Sequence, residues 1–128
     1  DSKEIDVFQN IFKYFKNGVI ILDDCSQYLS ANWTNNKGLK NILTEHRHRG
    51  YDVFFIGHQP QHIPKQVWSF IAHAFIFRCS SQLKEKDMAS EAAADIVKLQ
   101  KKVNQEYRLK YIEAGQKKPR GVYKYLKI

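Results

Sequence analysis

The chain has 128 residues, 43% hydrophobic content and a formal net charge of +8, with 21 Lys and Arg against 13 Asp and Glu. That length supports one modest core, and the charge biases the molecule toward polyanions such as nucleic acid, nucleotides or acidic membrane surfaces. Two isolated cysteines, Cys25 and Cys79, make no disulfide framework, and no apolar run reaches the roughly twenty residues of a bilayer span or carries a secretory flank. Buried, reduced thiols in a soluble, cytoplasmic protein are expected.

Ile5, Phe8, Ile11, Phe12 and Phe15 recur at spacings of three and four, which predicts an amphipathic helix ending near Asn17–Gly18. Val19–Leu22 is a short aliphatic run without alternation, the pattern of a parallel-sheet strand covered on both faces. A polar stretch from Ser26 to Lys37 reads as a loop, after which Leu39, Ile42, Leu43 and His46 line a second helix stopped by Gly50. Asp52–Gly57, DVFFIG, is a second apolar strand, followed by the proline-bearing turn HQPQHIP. Val67, Trp68, Phe70 and Ile71 suggest a short helix and Ala74–Phe77 a third strand. Met88, Ala92, Ile96, Leu99, Val103, Tyr107 and Tyr111 then follow a helical period that Gly115 can cap, and GVYKYLKI closes as a final strand. Alternating helices and strands predict an α/β fold with a mainly parallel sheet, in a single domain over residues 1–128.

In such sheets ligands sit beyond the carboxyl ends of the strands. Asp23 and Asp24 stand at one such end, His58 and Gln59 at another. A carboxylate there can hold magnesium while its neighbour orients or deprotonates water. The alternative is that one aspartate begins a turn and the other caps the next helix.

An aliphatic strand ending in two acids (19–24), a helix ending in Arg-x-x-Gly at Arg47 and Gly50, and a strand leading into Gln-Pro (52–59) together resemble the FtsK–HerA branch of P-loop ATPases. That branch includes viral genome-packaging ATPases and the zonula occludens toxin-like proteins of filamentous phages. The resemblance implies a RecA-like P-loop NTPase core using ATP and Mg2+, with Asp23 serving the metal, Asp24 the catalytic water, His58 and Gln59 the nucleotide, and Gln59 sensing the γ-phosphate. Arg47 would be a finger offered to the neighbouring subunit from the nucleotide rim, with Arg49 its close competitor. It also implies a homo-oligomeric ring in the host cytoplasm or virion, with DNA and phage capsid or assembly proteins as partners. Asp24 stands where glutamate is commoner, and His58 where a small hydroxyl residue often precedes the glutamine. No G-x-x-x-x-G-K-[ST] occurs, so the phosphate cradle is missing and the 128 residues alone are expected not to hydrolyse ATP. They read as the C-terminal portion of a motor subunit for nucleic-acid translocation or genome packaging. The rivals are a filamentous-phage assembly ATPase and a non-catalytic nucleic-acid-binding module.

Residues 84–128 hold twelve bases against six acids, and the basic stretch Lys98, Lys101, Lys102, Arg108, Lys110, Lys117, Lys118 and Arg120 is a candidate to follow a nucleic-acid backbone, with Lys98, Lys101, Lys102 and Lys110 its foremost phosphate contacts, beside the ordinary reading of a solvated face. His46 and His48 do not share a helix face and HQPQH contains a proline, so no structural zinc is expected. Trp33, in its polar loop, stacks on a base, plugs a subunit interface or folds back over the core.

Overall fold

The structure, a computed structural model, describes residues 2–29 and 32–128. The side chains of residues 2–6, Ile5 among them, and of Pro60 lie outside the described set. The chain divides into two compact units, Asp1–His58 and Gln59–Ile128, each with its own two-stranded sheet.

In the first unit, helix α1 (Ser2–Tyr14) leads to strand β1 (Gly18–Leu22), and helix α2 (Lys37–Arg49) to strand β2 (Tyr51–Phe55). Both helix-to-strand junctions turn through a left-handed residue, Asn17 and Gly50. The two junctions are tied together: Asn17 N–H donates to the Arg49 carbonyl at 2.9 Å and Gly18 N–H to that of Gly50 at 3.0 Å. These bonds set β1 and β2 parallel, with Gly18 opposite Tyr51 and Leu22 opposite Phe55. Asn36 caps α2 by accepting from Leu39 N–H at 3.1 Å. Tyr51 is buried, stacks on Phe15, and donates its hydroxyl at the C-terminal end of α1, to the Phe15 carbonyl and to that of Ile11, which also accepts from Phe15 N–H.

Helix α1 packs on α2 at Gly38, where an added Cβ would stand 2.5 Å from Gln9 N and 2.6 Å from Phe8 C. Those are backbone atoms, so no rotamer change relieves the clash. Gly38→Ala is expected to destabilise the fold by about 1–3 kcal/mol, read as a lower urea midpoint. A midpoint equal to wild type would show that the helices separate at no cost.

The strands depart from the sequence reading in one respect. Burial alternates along β1: Ile20 and Leu22 are buried, whereas Val19 is 54% and Ile21 61% exposed. Phe54 and Ile56 are exposed as well. The helices cover one face of this sheet, not two. Trp33 takes the core position, buried with Leu29, Leu39, Ile42 and Leu43.

The second unit begins with two short helices, Pro60–His62 and Lys65–Phe70, followed by strand β3 (His73–Phe77), helix α3 (Ala93–Arg108) and strand β4 (Tyr123–Lys127). Here the expectation of a mainly parallel sheet is corrected, because β3 pairs antiparallel with β4, Phe75 opposite Tyr125. Helix α3 packs against both strands, and its later part, where Asn104 bonds Cys79, returns the chain to the carboxyl end of β3, so β4 starts opposite Phe77 and runs in the reverse sense. Trp68, Ala74, Ile76, Leu83, Met88, Ala93 and Ile96 form the core. After Arg108 the helix widens into a π turn, Leu109–Glu113, with Ala114 N–H donating to the Leu109 carbonyl, and Gly115 (φ 67°) then leaves in the left-handed region. The architecture is mixed helix and strand with a small parallel sheet, consistent with an α/β fold. No helix among the described residues is long and apolar enough to cross a membrane.

Candidate functional site

The β1–β2 ladder continues one step past the strands. Ile56 N–H donates to the Leu22 carbonyl at 3.1 Å, and the Ile56 carbonyl accepts from Cys25 N–H at 2.9 Å. A regular parallel ladder would take that second bond from residue 24, so the aspartate pair holds one extra residue, as in a β-bulge. The added residue is absorbed by Asp24, which turns left-handed at φ 50°. Aspartate tolerates this better than most residues. Both acids therefore leave the carboxyl end of a strand that lies beside β2.

Asp23 is exposed and enters no hydrogen bond or ion pair among the described residues. Asp24 is half-buried and held by its own turn: Ser26 Oγ donates to Oδ1 at 3.0 Å and Gln27 Nε2 to Oδ2 at 3.1 Å. The adjacent Cys25 is fully buried, and its thiol is pushed up from its ordinary value first by that burial and also by the Asp24 charge. Cys25 is thus a protonated, packing residue. His58, exposed, follows β2 at the end of the first unit.

The arginines are placed differently from expectation. Helix α2 runs into the amino end of β2, so Arg47, exposed in its last turn, lies at the edge of the sheet opposite the acids. Five strand residues separate the two edges, about 15 Å. Arg47 does not project from the aspartate rim. Arg49 is half-buried with its guanidinium 4.6 Å over the Phe12 ring, and its Nε is buried without a hydrogen-bond partner. Of the two, Arg47 is the more exposed.

Gln59 begins the second unit, where Cys79 Sγ donates to its Oε1 at 3.1 Å. With the amide oxygen turned to the thiol, Nε2 is presented as a donor on the other side. Cys79 is itself fixed by α3: Asn104 Oδ1 accepts from its N–H at 3.2 Å, and Asn104 Nδ2 donates to its carbonyl at 3.3 Å. The sequence reading passed over Asn104, since a lone polar residue in a helical period carries no signal. Lys98, Lys101 and Lys102 are exposed on α3, and Lys110 is ion-paired with Glu106 at 3.5 Å.

A magnesium ion carried by nucleotide phosphates takes only one or two protein carboxylates, which Asp23 and Asp24 fit. Among the described residues no group of three His, Cys, Asp or Glu side chains forms a cage for a metal.

Residues 2–86, about two thirds of the chain, match the family model of the zonular occludens toxin (Zot). The chain belongs to the Zot family. This is a P-loop ATPase-related family, and the matched stretch contains Asp23, Asp24, Arg47, His58, Gln59 and Cys79. The Zot match ends before α3 and β4. Neither the curated proteins nor the solved structures gave a match.

Proposed function

We propose that this chain carries the Walker B and sensor segments of a Zot-like ATPase that drives assembly and export of a filamentous virion as a ring oligomer. The observation that supports this is the bulged turn at the carboxyl end of β1, which presents two aspartates beside β2 inside the matched region. The family match favours virion assembly over genome packaging. Asp23 would hold magnesium, which neutralises phosphate charge when bound. Asp24, fixed by Ser26 and Gln27, orients and deprotonates the attacking water. Gln59 offers Nε2 to the γ-phosphate, with Cys79 as its positioning residue. Arg47, too far from the acids of its own subunit, serves the next subunit's nucleotide, and its planar, permanent charge suits the transferring phosphoryl group. The phosphate cradle is proposed to come from residues outside these 128.

Steady-state ATP hydrolysis by the full-length protein tests the sensor assignment. Gln59→Ala is expected to lower kcat at least about tenfold with KM little changed, the signature of an interaction made in the transition state. Cys79→Ala should lower kcat by less, Cys79→Ser should restore part of it, and Cys79→Ala added to Gln59→Ala should cost nothing further. Wild-type kcat in Gln59→Ala would end the sensor reading.

A further inference from the structure

The open face of the β3–β4 sheet is made of rings. Register places His73 beside Lys127, Phe75 beside Tyr125, and Phe77 beside Tyr123, all on the face opposite the buried Ala74 and Ile76. Phe75 is 56% exposed and Phe77 59%, and Tyr123 and Tyr125 are also open to solvent. Cross-strand packing holds the rings in place: Phe75 and Tyr125 have centroids 5.0 Å apart, Phe77 and Tyr123 5.4 Å, and His73 Nδ1 lies 2.6 Å from the Tyr125 hydroxyl. Successive rows are roughly 7 Å apart along the strands.

Two features separate this face from the bare face of β1–β2. The first-unit face is mostly aliphatic, with Val19, Ile21 and Ile56 beside Phe54 and Asp52, and residues 1–58 hold seven bases and seven acids. The β3–β4 face has a cation at one end and no acid, and residues 59–128 hold fourteen bases against six acids, the whole net charge of the chain. Lys117, Lys118 and Arg120 lead directly into β4.

We propose that the β3–β4 face binds single-stranded nucleic acid, its bases stacking on Phe75, Phe77, Tyr123 and Tyr125 and its phosphates running past Lys127 and the basic approach to β4. Ring faces accept any base, and surrounding cations neutralise the backbone, so the site is sequence-tolerant and salt-dependent. Duplex binds poorly there, because its π-faces are hidden in the stack. This site lies beyond the ATPase reading and outside the lysines of α3.

The test uses the full-length protein with fluorescein-labelled dT16 and U16 and a 16-base-pair duplex, read by anisotropy at low and moderate salt. Both single strands are expected to bind more tightly than the duplex, with affinity falling as salt rises, and the tighter of the two identifies DNA or RNA as the source. Phe75→Leu with Tyr123→Leu, which keeps apolar bulk but removes two π-faces, should weaken single-strand binding at least about fivefold and leave duplex binding unchanged. Circular dichroism and the urea midpoint report whether that variant folds as wild type. Independently, photocrosslinking of 5-iodouridine-substituted strands to the wild-type protein should label peptides containing residues 73–77 or 123–127. Absence of single-strand binding, equal loss for duplex and single strand, or crosslinks confined to residues 98–110 would overturn the proposal. So would rings found covered by another part of the protein, detected as tyrosines 123 and 125 that resist iodination.

Discussion

Asp24→Asn in the full-length protein is expected to abolish measurable ATP turnover, a loss of about 10²–10⁴-fold, while nucleotide still binds. Asparagine is the informative replacement because it also tolerates the left-handed conformation that the bulged turn imposes at φ 50°. It keeps the shape of the carboxylate and one acceptor oxygen for the turn, and Gln27 can rotate its amide to meet the new NH2 group. What disappears is the negative charge and basicity. Alanine would instead confound chemistry with a collapsed turn, since Ser26 and Gln27 would lose their shared acceptor. A variant that hydrolyses ATP like wild type would move the base elsewhere, with His58 the next candidate. The same variant tests the finger. Because Arg47 lies at the far edge of β2 from the acids, an Arg47→Ala subunit and an Asp24→Asn subunit, each inactive alone, should regain activity when co-assembled. Mixed rings that stay inactive would count against a finger in trans.

Gln100→Met should cost the second unit about 2–5 kcal/mol, seen as a lowered urea midpoint. Gln100 is almost fully buried on α3, yet it is polar. Its Oε1 accepts from Leu83 N–H at 2.8 Å and its Nε2 donates to the Ser81 carbonyl at 3.0 Å, so one amide satisfies both a donor and an acceptor of the loop after β3. Methionine fills the same space but leaves the buried Leu83 N–H without its acceptor, at its full desolvation cost, and the part-buried Ser81 carbonyl without its donor. Leu83, a core residue, would be loosened with them. A midpoint within error of wild type would mean that water reaches this loop in the folded state.

Local pattern was enough for the main elements of the first unit. Gly50 after a helical period ends α2, the aliphatic runs form β1 and β2, and the spacing of Leu39, Ile42 and Leu43 marks the face that is buried. Those features follow from backbone sterics and periodicity, which act over a few residues. The period of α3 was visible too, but it pointed to Leu99, which is only half-buried, and missed Gln100, whose burial depends on a loop seventeen residues away.

The sequence by itself determined which residues form helix and strand, and that two acids and a His-Gln pair follow apolar strands. The tertiary structure decided everything set by distant partners. It made β1 one-sided, because helices pack on only one of its faces, and it turned β3 to run against β4 rather than beside a parallel neighbour. It separated Arg47 from Arg49 by laying one guanidinium over Phe12, and it joined Gln59 to Cys79 across twenty residues of chain. An apolar run looks the same whether one face or two is covered, because coverage depends on what the rest of the chain brings to it.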